Sequence, residues 1–151
     1  TVGMIYNDYV TLKTGSTPSD TNSTSELSNV ELVLKLINDA RQKAGVAPLK
    51  LGATLPKLAE LKAEDMVKNN YFAHTSKTYG TPFKMMEDYN INYNTAGENI
   101  AGNPDIKAAV ESWLASSTHK QNLLSSSYQY IGIGIAKSPT YGYIIVAMFV
   151  G

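Results

Sequence analysis

At positions 143–150 the chain reads YIIVAMFV, one of its two most strand-like stretches. The run is apolar on both faces, so we expect it to be covered on both sides, as a central strand of a sheet. The second stretch, IGIGIA at 131–136, is joined to the first by KSPTYG at 137–142, a sequence typical of a hairpin loop. Gly132 and Gly134 leave one face of this strand without side chains, which predicts the close approach of a helix or another backbone.

Apolar residues at helical spacing predict two helices early in the chain. The first begins at Ser28, which forms a capping box with Glu31, and it ends at Gly45 as a left-handed cap. The second covers about 54–70. Lys62 lies near its apolar face, where we expect the stem of the side chain to follow the face and the amine to stay in water.

Two later helices are predicted from an N-cap residue followed by proline, at Thr81-Pro82 and at Asn103-Pro104. Both helices are amphipathic, so each must pack on another element. Helices come first and strands last, and the sheet is covered on both faces. This order predicts an α+β fold, a three-layer α-β-α sandwich with a central, mainly antiparallel sheet.

The N-terminal part of the chain differs in composition from the rest. Residues 1–13 mix β-branched, aromatic and polar side chains, which predicts a short β segment, interpreted as a hairpin. We expect this segment to be the tail of an upstream module or an added edge of the main domain. Residues 14–27 are a Ser/Thr-rich linker, and the main domain covers 28–151. Because the chain begins at Thr1, we expect a trimmed fragment whose signal peptide has been removed.

Charge and composition exclude several classes of function. Lys and Arg number 13 and Asp and Glu number 13, so no net field draws the chain to nucleic acid. The chain has no cysteine, which excludes disulfides and a thiol nucleophile. No run approaches the roughly 20 apolar residues that span a bilayer. We therefore expect no nucleic-acid partner and no membrane span. We also expect a monomer.

The chain contains two histidines, and each lies in a short polar turn after an apolar segment. His74 follows NNYFA at 69–73, and His119 follows the helix-like run that ends at Trp113-Leu114. Between them lies Glu98, within AGENIA at 96–101. Titratable residues that cluster in a fold often mark a functional site. We hypothesise that the fold brings His74, Glu98 and His119 into one cleft as a site triad.

Several chemistries suit these three residues. The apolar surroundings of Glu98 will desolvate its carboxylate, which must then pair with a cation, accept hydrogen bonds from loop amides, or take up a proton. His74 and His119 suit Zn²⁺ as metal ligands, and they equally suit acid–base work near neutral pH. Their spacing is not that of a His-Glu-x-x-His motif, so the sequence alone does not assign a metal. No Gly-x-Ser-x-Gly elbow supports a serine hydrolase.

Six segments, in their order and spacing, resemble the CAP superfamily of cysteine-rich secretory, antigen 5 and pathogenesis-related proteins, in its bacterial SCP-like branch. The resemblance covers about 28–151. The matching segments are INDAR at 37–41 followed by Gly45, YFAHTS at 71–76, AGENIA at 96–101, VESW at 110–113, HKQNLL at 119–124 and IGIG at 131–134.

The resemblance implies an α-β-α sandwich whose large cleft carries two histidines and two glutamates. His74 and His119 match the two histidines, and Glu98 matches the first glutamate. The second glutamate normally lies three residues past the helix tryptophan, and here that position is Ser116. The tetrad is therefore reduced to a triad, and a mechanism that needs both carboxylates does not carry over.

The resemblance also implies an extracellular or cell-envelope location and a link to a cell-wall or envelope module. Members of the family are credited with Zn²⁺ binding, lipid binding, proteolysis or signalling, so no shared activity follows. Our first hypothesis is a non-enzymatic module whose cleft binds a small ligand (lipid, peptide or glycan) or a protein partner. The second is a Zn²⁺-assisted hydrolase, in which the histidines hold Zn²⁺ and Glu98 activates water. The third is an interaction domain with a vestigial cleft.

Overall fold

The computed structural model of the chain describes residues 4–10 and 23–151, and in them five strands and five helices alternate irregularly. In chain order these are β1 (Met4–Val10), α1 (Ser23–Lys43), β2 (Lys50–Leu51), α2 (Leu55–Lys68), α3 (Pro82–Asp88), β3 (Ala96–Asn103), α4 (Ile106–Ala115), α5 (Ser117–Leu124), β4 (Tyr130–Ser138) and β5 (Gly142–Val150).

The strands form one sheet in the order β1-β3-β5-β4-β2. The two central pairs, β3 with β5 and β5 with β4, are antiparallel, whereas β1 and β2 run parallel to their neighbours at the two edges. β5 is the middle strand, and it is buried from Tyr143 to its end. The hairpin and the central position predicted for 143–150 are therefore confirmed.

Helices cover both faces of the sheet and make the three layers that were predicted. On one face, Ile144, Val146 and Met148 of β5 join an apolar cluster with α2 and α3. On the other face, Ile145 and Phe149 join a cluster with α1 and α4. The alternation along β5 is the two-residue period of a strand that is buried on both sides. The fold class is that of an α+β sandwich.

The two glycines of β4 let α2 lie directly on the sheet. A methyl group added at Gly132 would overlap the backbone of Leu55, and one added at Gly134 would overlap the carbonyl group of Ala59. Both neighbouring groups belong to the backbone of α2, which cannot move aside as a side chain can. The close approach predicted from the sequence is confirmed.

We expect Gly134→Ala to lower the free energy of unfolding by about 3 kcal/mol, because the added methyl must push α2 off the sheet. Urea denaturation measures this loss. Lys137→Ala, at an exposed position of the same strand, is the control and should change stability by less than about 0.5 kcal/mol. Equal effects of the two substitutions would contradict the packing of α2 on β4.

Two predicted helix starts are wrong. α1 begins at Ser23 instead of Ser28. No proline or glycine occurs in 23–28, so nothing in the backbone stops the helix from extending in the N-terminal direction. Residues 14–22 of the predicted linker lie outside the described residues. The N-cap of α4 is Asp105, whose side chain accepts a hydrogen bond from the Ala108 amide at 3.1 Å. Asn103 is instead the last residue of β3.

Three segments have a different structure from the one predicted. The stretch around Glu98, for which no strand was predicted, is the buried strand β3. The polar run before His119 is not a turn, because α5 begins at Ser117 and His119 lies in its first turn. The N-terminal β segment is the single edge strand β1, and no hairpin forms within residues 4–10.

None of the helices in the described part of the chain has both the length and the apolar composition that a membrane span requires.

Candidate functional site

β3 carries two buried polar side chains to opposite faces of the sheet. Successive side chains of a strand alternate between faces, so Glu98 and Asn99 point in opposite directions. Glu98 contacts Lys62 of α2, whereas Asn99 donates a hydrogen bond of 3.1 Å to the backbone carbonyl of His119 in α5. β3 therefore connects polar groups of both helical layers.

The Glu98 carboxylate is completely buried and has two basic partners. The Nδ1 atom of His74 lies 2.6 Å from its Oε1 atom, and the Nζ atom of Lys62 lies 3.4 Å from both oxygens. Lys62 also donates a hydrogen bond to the backbone carbonyl of His74. We call Lys62, His74 and Glu98 the polar centre; it joins α2, the α2–α3 loop and β3.

The position of the Lys62 amine corrects the sequence-based prediction. The amine was expected in water, but the whole side chain is buried beneath Glu98. Burial lowers the pKa of Lys62, and the attraction of Glu98 opposes that change. The sequence pattern of α2 could not show this burial, because the carboxylate that binds the amine comes from β3, a distant part of the chain.

Asp65 holds the loop that carries His74. Its carboxylate accepts hydrogen bonds from the Ser76 hydroxyl (2.6 Å), the Thr78 hydroxyl (2.5 Å), the Asn69 amide (2.7 Å) and the Tyr71 hydroxyl. Burial alone would raise the pKa of Asp65, but these donors outweigh it and lower the pKa to about 2. The four donors lie on both sides of His74 in the sequence, so the Asp65 network fixes the course of the loop.

His119 is buried in the first turn of α5, and its Nδ1 atom lies 2.8 Å from the Ser116 hydroxyl. Ser116 is the position at which the family resemblance places a second glutamate. A neutral hydroxyl therefore stands beside this histidine at the position where the family pattern has a carboxylate. Asn99 and Asn122 are joined by a hydrogen bond of 2.9 Å, which ties α5 to β3.

The structure brings two of the three predicted site residues into direct contact. His74 and Glu98 share a hydrogen bond, whereas the backbone of His119 joins β3 at Asn99, the residue after Glu98. The gathering of all three side chains in one cleft stays a prediction.

The residues of the polar centre do not fit a Zn²⁺ site. Within residues 4–10 and 23–151, no three His, Asp or Glu side chains are grouped so that they can hold a metal ion. The Lys62 ammonium already contacts the carboxylate that a metal would share. No step through zinc follows from this geometry, and the assignment of His74 and His119 as metal ligands stays a prediction.

Sequence reasoning missed Lys62 and Asp65 as parts of the site. Both occupy buried positions of α2 among leucine, alanine and methionine side chains. Charged residues at core positions of an amphipathic helix are rare unless they are paired. That mismatch between residue type and position was the available signal.

A cavity of about 350 Å³ lies beside the same loop. Tyr71 and Phe72 of the loop line it, together with Met66, Tyr141 and Ile144. The ring centroids of Phe72 and Tyr141 lie 5.4 Å apart. The loop that presents His74 to Glu98 therefore also borders an aromatic-lined hollow.

Comparison with known proteins identifies relatives of the chain. It is 41% identical over 140 residues to YkwD of Bacillus subtilis (strain 168). This alignment covers 92% of the chain and 52% of YkwD. It is 42% identical over 104 residues to the membrane protein YlbC of the same organism. This alignment covers 68% of the chain and 30% of YlbC. The chain thus spans about half the length of YkwD and less than a third of YlbC.

Two solved structures share the fold. An extracellular protein containing an SCP domain from Bacillus anthracis str. Ames matches with a TM-score of 0.76 and 28% identity, over 87% of this chain and 44% of that protein. An outer surface protein from Borrelia burgdorferi matches with a TM-score of 0.75 and 25% identity, over 82% of this chain and 92% of that protein. The model of the CAP family, described as the cysteine-rich secretory protein family, matches residues 34–150. The chain therefore belongs to the CAP family.

Proposed function

We propose that this chain is an extracellular or cell-surface CAP domain that binds a ligand, without catalysis, at the polar centre formed by Lys62, His74 and Glu98. His74 is the partly exposed member that meets the ligand, and the buried Lys62 and Glu98 hold it in place. His119 lies on the neighbouring helix and completes the set of site residues. The location is supported by the B. anthracis and B. burgdorferi relatives, which are described as an extracellular protein and an outer surface protein.

The observation that carries this proposal is the burial of Lys62 and Glu98. Leu58 and Met66, one helical turn before and after Lys62, are also buried, so an apolar side chain would suit the position. Removing two charges from water costs several kcal/mol per ion, and well-packed apolar residues are often as stable or more stable. A buried ion pair at a position that an apolar pair could fill supports a role in recognition.

The same geometry supports binding over hydrolysis. Lys62 contacts both oxygens of the Glu98 carboxylate, and His74 contacts one of them. The second carboxylate that the family resemblance implies is replaced by Ser116, and a Zn²⁺ ligand set is lacking among the described residues. These features favour recognition of a polar ligand group over activation of water.

The test is a binding panel of peptides, glycans and lipids with native protein and the double variant Lys62→Met/Glu98→Gln. The double variant removes both charges together, so neither is left buried and unpaired, and we expect it to fold. At least one ligand class should bind the native protein, bind the double variant about tenfold more weakly, and be recovered unchanged. Mass spectrometry of the recovered ligand measures turnover.

The matched control is Lys84→Met/Asp88→Asn, which removes an exposed ion pair of 2.7 Å in α3. It should bind like the native protein. Equal binding by all three proteins would show that the polar centre is structural. Cleavage of a ligand by the native protein but not by Lys62→Met/Glu98→Gln would favour the hydrolase hypothesis.

A further inference from the structure

The outer edge of β3 is occupied by a strand from outside the matched family domain. β1 pairs with β3 in parallel along its whole length, from Met4 opposite Ala96 to Val10 opposite Gly102. The family match begins at residue 34, so β1 lies before the matched residues. Without β1, β3 would be the last strand of the sheet. Its edge N–H and C=O groups would then be open to pairing with another strand.

This edge lies next to the polar centre. In the register of the pair, Tyr6 stands opposite Glu98 and Asn7 stands opposite Asn99. α5, which carries His119, also packs against β1. Side chains alternate along a strand. A strand paired with this edge therefore presents one set of side chains to the face of Glu98 and the other set to the face of Asn99.

We propose that the outer edge of β3 is a peptide-binding site of the strand-addition type, and that β1 is its occupant within the chain. The external ligand is an extended segment of a partner polypeptide that runs parallel to β3 and takes the place of β1. This inference rests on the proposed function and names its ligand class. Strand addition supplies affinity through main-chain hydrogen bonds and specificity through alternate side chains. In the register of the pair, Glu98 of the polar centre stands opposite the third residue of such a strand.

Competition with β1 sets the expected affinity of the native protein. β1 belongs to the same chain and is connected to α1 through residues 11–22, so its effective concentration at β3 is on the order of millimolar. A free peptide must overcome this advantage. The native chain should therefore bind an added strand weakly, and a chain whose β1 cannot pair should bind it well.

The experiment uses the full chain with Tyr6→Pro/Asn7→Pro. Alternate residues of a strand direct their N–H groups to one neighbour, so two consecutive prolines remove at least one N–H that points to β3. The probe is a fluorescein-labelled peptide with the sequence MIYNDYV, that of residues 4–10. Fluorescence anisotropy should show about tenfold tighter binding, or more, to the variant than to the native chain. Hydrogen exchange should be faster at β3 amides in the variant and slow again when the peptide is added.

The matched control variant is Ser19→Pro/Asp20→Pro, which carries two prolines outside β1 and should bind the peptide like the native chain. The control peptide has proline at its third and fourth positions and should not bind. The inference is overturned if Tyr6→Pro/Asn7→Pro binds MIYNDYV no better than the native chain, or if binding leaves β3 exchange unchanged. If that happens while a panel ligand still depends on Lys62 and Glu98, only the strand-addition site fails. If the peptide protects β3 but no ligand depends on those two residues, only the proposed polar centre fails.

Discussion

Glu98→Gln alone is expected to lower the free energy of unfolding by about 3–5 kcal/mol, because it leaves the Lys62 ammonium buried without its carboxylate. Lys62 has no exposed surface, so its amine cannot turn to water without rearranging α2. Urea denaturation at neutral pH measures the loss.

The control for this prediction is Asp88→Asn, which breaks the exposed ion pair with Lys84. Exposed pairs contribute at most about 1 kcal/mol, so this substitution should have a small effect. A Glu98→Gln variant as stable as Asp88→Asn would mean that the carboxylate is not a buried partner of Lys62.

Asp65→Asn is expected to lower the free energy of unfolding by about 3 kcal/mol at neutral pH, because an amide cannot accept all four hydrogen bonds of the network. The effect depends on pH. The pKa of Asp65 is about 2 in the folded chain and 3.8 in its ordinary state, so its ionised form stabilises the fold above about pH 4. This contribution of about 2 kcal/mol is lost as the pH falls from about 4 to about 2.

Urea denaturation between pH 2 and pH 7 therefore should show native and Asp65→Asn proteins converging in stability at the acid end. Asp39→Asn, in an exposed pair with Lys35, is the control and should differ from native by less than about 0.5 kcal/mol throughout. A constant gap between native and Asp65→Asn across this range would contradict the network as described. The loop with His74 should also exchange its amide hydrogens faster in Asp65→Asn.

The strands that decide the fold were predictable because their residue types and their environment agree. Residues 143–150 are apolar on both faces and lie at the centre of the sheet. β3 was not predictable, because AGENIAGN contains one β-branched residue, Ile100, and several small or polar ones. It is a strand because β5 and β1 pair with it on both sides, and a local pattern does not show such pairing.

The site was predictable only in part. His74, Glu98 and His119 stand out by residue type, and the contact between His74 and Glu98 follows from the fold. Lys62 was not assigned to the site, because lysine near a helix face ordinarily extends its amine into water. Its burial depends on a carboxylate 36 positions away, which only the sheet brings close. Asp65 was missed because its partners are side chains of an irregular loop.

A double-mutant cycle between Lys62 and Glu98 tests the central claim most directly. The free energies of unfolding of the native chain, Lys62→Met, Glu98→Gln and Lys62→Met/Glu98→Gln give the coupling between the two side chains. The buried contact predicts a coupling of about 2 kcal/mol or more, with the double variant clearly more stable than Glu98→Gln alone. Losses that add to within about 0.5 kcal/mol would contradict the account, because they would show that the two charges do not meet.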